Sequence, residues 1–182
     1  MTSAKSPRLI ARIAGVLYLM VFVTGIFSLI VRSSVGVAAA FIAGALYIAV
    51  TLLFYFIFKP VSRSLSLLAA VVSLTGVVIG PLSLAVHALS YISPLVFFGF
   101  YCLLIGYLIF KSTFLPRFLG LLMAFAGLGW LTFLWPPLAA SLSPYNFFPG
   151  IIGEGSLTLW LVVMSVNERR WNEQASAVVN DF

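Results

Sequence analysis

Charge is what this chain has least of. Of its 182 residues only 8% are charged, ten basic and four acidic. A soluble domain carries about 25% charged residues, so a water-facing globular surface is excluded. Cysteine and histidine are scarcer still, at one each. Cys102 has no partner in the chain for a disulfide, and inside an apolar run it reads as a small buried side chain. With His87 and Cys102 alone, a typical three-ligand zinc site cannot be built, and a haem would find a single histidine. The sequence contains no HExxH, CxxC, P-loop or glycine-rich nucleotide fingerprint, and no elbow motif marks a serine nucleophile. No cofactor or metal is expected. Nor is nucleic acid expected despite a net charge of +6, because the basic residues stand singly or in pairs and form no stripe.

Apolar residues fill the space that charge leaves, at 63% of the chain with a mean hydropathy of +1.18. A helix crosses a hydrocarbon core of about 30 Å with about 20 apolar residues. Six runs approach that length: Leu9 to Val31, Val35 to Phe58, Leu65 to Leu89, Pro94 to Phe110, Phe118 to Trp135 and Phe147 to Val166. None alternates as a barrel strand does, and a lipid-embedded backbone must satisfy its polar groups internally. The expected fold class is therefore all-α, a polytopic membrane protein with six transmembrane helices. Residues 1–8 form an N-terminal tail, 9–166 the six-helix domain and 167–182 a C-terminal tail. The first run follows Lys5, Arg8 and Arg12 as a secretory signal might follow a basic head, but its apolar stretch is longer than a signal core. It reads as a retained helix.

Orientation follows from the basic residues. Lys5, Arg8 and Arg12 precede the first run, Lys59 and Arg63 separate the second and third, Lys111 and Arg117 the fourth and fifth, and Arg169 and Arg170 follow the sixth. The alternate connections carry Arg32 alone. By the positive-inside rule both termini are cytoplasmic. Trp130, Trp135, Tyr145 and Tyr91 then belong to an outer aromatic belt and Trp171 to an inner one, and the proline-rich segment from Pro136 to Pro149 is expected to form an outer cap rather than a continuous helix. Similar lead-ins, Pro7-Arg8-Leu9, Arg63-Ser64-Leu65 and Pro116-Arg117-Phe118-Leu119, suggest three repeated hairpins. The simpler explanation, that any two spans with short loops take about 50 residues, is preferred.

Lipid offers helices no hydrophobic reason to associate, so small residues mark the packing faces. In the third run Ser73, Gly76, Gly80, Ser83 and His87 recur every three or four residues, with Pro81 positioned to bend the helix. In the sixth, Gly150, Glu154, Thr158 and Ser165 do the same, with Gly153 alongside. Outside the cytoplasmic loops and tails, Arg32, His87 and Glu154 are the groups able to carry charge, all in the outer half. Glu154 lies roughly 8–11 Å into the last span. An intramembrane acid is costly and by default a functional hypothesis. Glu154 is expected to face the interior and pair with His87 or Arg32. These two and Glu154 form the candidate polar cluster, and Glu154 with His87 the one plausible acid–base pair.

Three stretches carry a resemblance: Ala11-Arg12-Ile13-Ala14-Gly15-Val16-Leu17-Tyr18-Leu19; the run from Phe97-Phe98-Gly99-Phe100-Tyr101-Cys102 to Leu115-Pro116-Arg117-Phe118-Leu119-Gly120; and Gly153-Glu154 with Leu159-Trp160-Leu161. Together they resemble a bacterial family of multi-pass membrane proteins known as domain of unknown function 4386. The resemblance implies an inner-membrane protein and brings no activity. This chain is shorter than the family pattern between the first two helices.

Three functions are compatible with these residues. The leading expectation is a non-enzymatic accessory or interaction protein of the cytoplasmic membrane, in contact with membrane lipid and with a protein partner or further copies of itself. The others are a small proton-coupled carrier using Glu154, and a lipid-modifying enzyme using Glu154 and His87. A cavity reaching Glu154 favours the carrier, a lateral opening beside His87 the enzyme, and a solid core the accessory role.

Overall fold

The computed structural model of the chain describes residues 6–85 and 93–180. They form α1 (Pro7–Ile30), α2 (Ser34–Phe58), α3 (Arg63–Ala85), α4 (Pro94–Lys111), α5 (Arg117–Leu131), α6 (Pro136–Leu142), α7 (Phe148–Val163) and α8 (Glu168–Asn180), with no strand among the described residues. Six segments are long and apolar enough to cross a membrane: α1, α2, α3 as far as Leu82, α4, α5 continued to Leu134, and α7 together with the turn from Tyr145. The protein is a six-span helical membrane protein. Side chains such as Val23, Leu29, Ile30, Leu121, Leu128 and Val163 are more than 60% exposed on these spans, which is stable only where the surroundings are apolar.

Prolines set several helix starts. Pro7 and Pro94 occupy the first helical position and Pro116 caps α5, places where a missing N–H costs nothing because it has no partner in the helix. The segment from Pro136 to Pro149 is broken as its composition predicts, into α6 and a short 3₁₀ turn. The last span ends earlier than its apolar run. Ser165 takes a left-handed conformation (φ 62°) and its N–H bonds the Trp160 carbonyl, which closes the helix at Val163. Ser165 therefore does not share a helical face with Glu154 and Thr158. Its hydroxyl instead donates to the Arg8 carbonyl at 2.8 Å, tying the end of α7 to the start of α1.

The spans close a ring. Each packs on the next in the order α1, α2, α3, α4, α5, α7, and α7 returns to α1. The seam between α4 and α5 is closed by two reciprocal glycine pairs. A Cβ on Gly106 would stand 2.8 Å from the Gly120 carbonyl, and one on Gly120 2.7 Å from the Gly106 carbonyl. Seven residues away, Gly99 and Gly127 face each other in the same manner. On α3, Ser73 is fully buried and shares a 2.7 Å hydrogen bond with Thr51 of α2. A Cβ on Gly76 would meet Phe97 at 2.9 Å, whereas one on Gly80 would find Pro94 only at 4.0 Å. Ser83 lies further along α3 with its side chain outside the described set.

The expected C-terminal tail is helical. Trp171 of α8 donates its indole N–H to the Ile57 carbonyl at 2.8 Å, and Gln174 accepts from Thr113 at 3.1 Å. The helix is thereby pinned across the end of the ring that carries the basic loops.

Candidate functional site

Glu154 lies two turns into α7 and is buried in the ring. Both carboxylate oxygens are engaged. The Tyr18 hydroxyl, midway along α1, donates to Oε2, and the Trp130 indole N–H, near the end of α5, donates to Oε1 at 2.5 Å. Gly150, one turn before Glu154, makes the second contact possible. A Cβ there would fall 2.2 Å from Trp130 Cζ2, so only glycine lets the indole cross α7 and reach the carboxylate. One acid thus joins three helices.

The surroundings are aromatic and polar together. Tyr18 meets Tyr47 of α2 edge-on, with centroids 5.7 Å apart, and Tyr47 meets Tyr101 of α4 at 6.0 Å. The buried Cys102 thiol borders the carboxylate. The hydroxyls of Tyr47, Tyr101 and Thr158 are buried without a hydrogen bond of ordinary geometry among the described residues, although Tyr47 comes near Tyr18 and Tyr101 near Thr51. Buried polar atoms usually find a partner, so three such hydroxyls around one acid form an uncommon cluster. Chemically it can hold a carboxylate by donated hydrogen bonds, or offer donors to a small polar guest.

Arg32, one of the two expected partners of Glu154, does not reach it. Arg32 is exposed at the α1–α2 turn, where it lines a separate cavity of about 390 Å³ with Ser28 and Ser33. It makes no ion pair with Glu154. The reason is local: α1 ends at Ile30, and Arg32 sits in the connection beyond it. His87 lies outside the described residues, as does Tyr91. Trp135 and Tyr145 are 64% and 70% exposed, whereas Trp130 turns its N–H inward. Among the described residues no cluster of three His, Cys, Asp or Glu side chains could hold a metal.

Tyr18 and Trp130 are the donors that reading the sequence missed. A signal for Tyr18 exists, since it follows Ala11, Ala14 and Gly15 at helical spacing, and these three are buried with it on one face of α1. Trp130 carries none, because an indole near a helix end reads as belt.

The three stretches on which the family resemblance rests converge here, sending Tyr18, Cys102 and Glu154 to one point. An uncharacterised protein of Archaeoglobus fulgidus is similar to this chain, 28% identical over 140 residues that cover 70% of this chain and 82% of that one. No solved structure matches. The family model for the domain of unknown function DUF4386 matches residues 79–165, which include Tyr101, Cys102, Trp130 and Glu154. Residues 79–165 of this six-span membrane protein are thus similar to the DUF4386 family.

Proposed function

We propose that the protein is a non-enzymatic accessory protein of the cytoplasmic membrane, with both termini in the cytoplasm, and that Glu154 anchors the helix ring rather than reacts. The observation that carries this reading is the occupation of both Glu154 oxygens by donors from α1 and α5. A group held on both sides within a packed core is positioned to join helices. Glu154 lines neither the cavity beside Arg32 nor the cleft between the start of α1 and the α4–α5 connection. The orientation rests on the loops: Arg8, Arg63 and Arg117 each open a span at one end of the ring, and Lys59 and Lys111 close two spans at that same end, the distribution that retains loops in the cytoplasm.

The hydroxyls of Tyr47, Tyr101 and Thr158, which make no hydrogen bond of ordinary geometry among the described residues, favour a second reading, a proton-coupled carrier in which these donors and Glu154 receive a polar guest. The lipid-modifying enzyme requires His87, which lies outside the described residues. The two readings part in liposomes loaded with a pH-sensitive dye under an imposed proton gradient. An anchor gives the same dye response with and without protein, while Glu154→Leu lowers the unfolding temperature in detergent. Protein-dependent proton entry that Glu154→Gln abolishes would replace the anchor with the carrier.

A further inference from the structure

The end of the ring that carries the basic loops holds a cleft of about 600 Å³ between the start of α1, the α4–α5 connection and the α7–α8 linker. Its walls are cross-linked. Ser165 donates to the Arg8 carbonyl at 2.8 Å, the Asn167 N–H donates to the Phe114 carbonyl at 3.1 Å, and Arg170 donates to the Thr113 carbonyl at 3.3 Å. The shape is therefore held before anything enters it, which lowers the cost of binding.

The lining has two characters. Arg8 and Arg170 both border the cleft; among the described residues Arg8 has no carboxylate partner, and the Arg170 guanidinium bonds a neutral carbonyl. The acid at the rim, Glu168, already accepts the Ser6 hydroxyl at 2.7 Å. The half-buried Trp160 of α7 and the exposed Met164, which caps that helix, complete the wall. Arginine pairs of this kind suit a phosphate oxygen pair, to which the planar guanidinium donates two parallel bonds. The cleft also lies at the level where α1 and α5 begin and α4 and α7 end, which is where a bilayer's headgroups lie.

We propose that this cleft binds the phosphodiester headgroup of an anionic phospholipid, with Arg8 and Arg170 on the phosphate and an acyl chain along Trp160 and Met164. A cation pair alone would accept any phosphate. The apolar wall continuous with the lipid-facing surface selects the phosphate that carries a chain. Basic recesses between spans at a membrane surface are suited to such headgroups, and each arginine contributes about fivefold in affinity.

The test uses the full-length protein in detergent, with native mass spectrometry counting retained lipid. Phosphatidylglycerol and phosphatidylcholine of identical chains are compared, each against wild type, Arg8→Gln/Arg170→Gln and Lys59→Gln/Arg63→Gln. Retention of phosphatidylglycerol at least roughly tenfold above phosphatidylcholine, lost in the first double variant and kept in the second, is expected. Equal retention of the two lipids by wild type overturns the proposal without recourse to any variant. Equal loss in both double variants overturns it as well, since the cleft would then be no better than any basic surface. Displacement of the lipid by millimolar inorganic phosphate would show that a free anion is the ligand and would overturn the lipid assignment.

Discussion

The α4–α5 seam allows a sharp test of how this ring is held. Replacing Gly106 by alanine places a Cβ 2.8 Å from the Gly120 carbonyl and 3.1 Å from the Ala124 nitrogen. Ordinary contact begins about 0.6 Å further out, and the obstructing atoms are backbone, so the helices themselves must separate. Inserting a methyl group into a packed interior costs about 1–3 kcal/mol, offset by up to about 1 kcal/mol gained when a helical glycine becomes alanine. The net is a loss of up to about 2 kcal/mol, and about 1–3 kcal/mol relative to alanine at a helical glycine with open space around it. Gly25 and Gly155 supply the control, because a Cβ at either finds nothing within 4 Å; alanine there is expected to leave stability unchanged or raised. Reversible unfolding of the purified protein in mixed micelles, followed by circular dichroism, reads the difference. The double variant Gly106→Ala/Gly120→Ala sharpens it. One separation relieves both clashes, so the double should cost less than the sum of the singles by about 0.5 kcal/mol or more. If Gly106→Ala is as stable as Gly25→Ala, close backbone approach does not hold the seam and the reasoning is wrong.

Three further predictions follow from the same geometry. Glu154→Leu leaves the Tyr18 and Trp130 donors unpaired and is expected to cost about 1–3 kcal/mol in the same unfolding assay; Glu154→Gln, which keeps an acceptor, should lose less, and a ranking in the opposite order contradicts the anchor. Gly150→Ala drives a Cβ into the Trp130 ring, so Trp130 fluorescence, isolated by replacing the other tryptophans with phenylalanine, should shift, and an unchanged spectrum would mean that the indole does not cross α7. A cysteine at Lys59 or Lys111 should resist an impermeant thiol reagent on intact cells and react after permeabilisation, with the fully buried Cys102 silent in both; clear labelling from outside reverses the orientation.

Much of the fold was legible because a bilayer imposes so few solutions. A span must be apolar, about 20 residues long and internally hydrogen-bonded, so hydropathy alone places α1, α2, α4 and the turn between α1 and α2 to within a few residues. The helical state of residues 168–180 was not legible in that way. Apart from Trp171, the first ten residues of α8, Glu168 to Ala177, offer no large apolar side chain for a hydropathy reading to find, and the segment is fixed instead by tertiary hydrogen bonds such as Trp171 to Ile57 and Thr113 to Gln174. Nor was the early end of α7, where the apolar run continues through Val166 but Ser165 turns left-handed.

The candidate site shows where a membrane sequence becomes hard to read, and the reason is physical. In a soluble helix the buried face differs in polarity from the exposed one, so periodicity reveals it. In a span both faces are apolar, since lipid is as greasy as a protein interior. Leu121 at 62% exposure and Leu119 at 1% stand two residues apart on α5 and look alike in sequence. What distinguishes the inner face is small residues, and the glycines of α4 and α5 do so at a spacing of seven that a search for GxxxG passes over. Glu154 stood out because an acid within a span is rare. Its partners did not, because tyrosine and tryptophan are amphipathic residues at home in lipid interfaces as well as in cores. Only the closing of α1 and α5 against α7 decides that Tyr18 and Trp130 spend their polar ends on a carboxylate. The search for a function in such a protein is therefore best directed first at the rare acid, and then at whichever aromatic donors its neighbouring glycines leave room to approach.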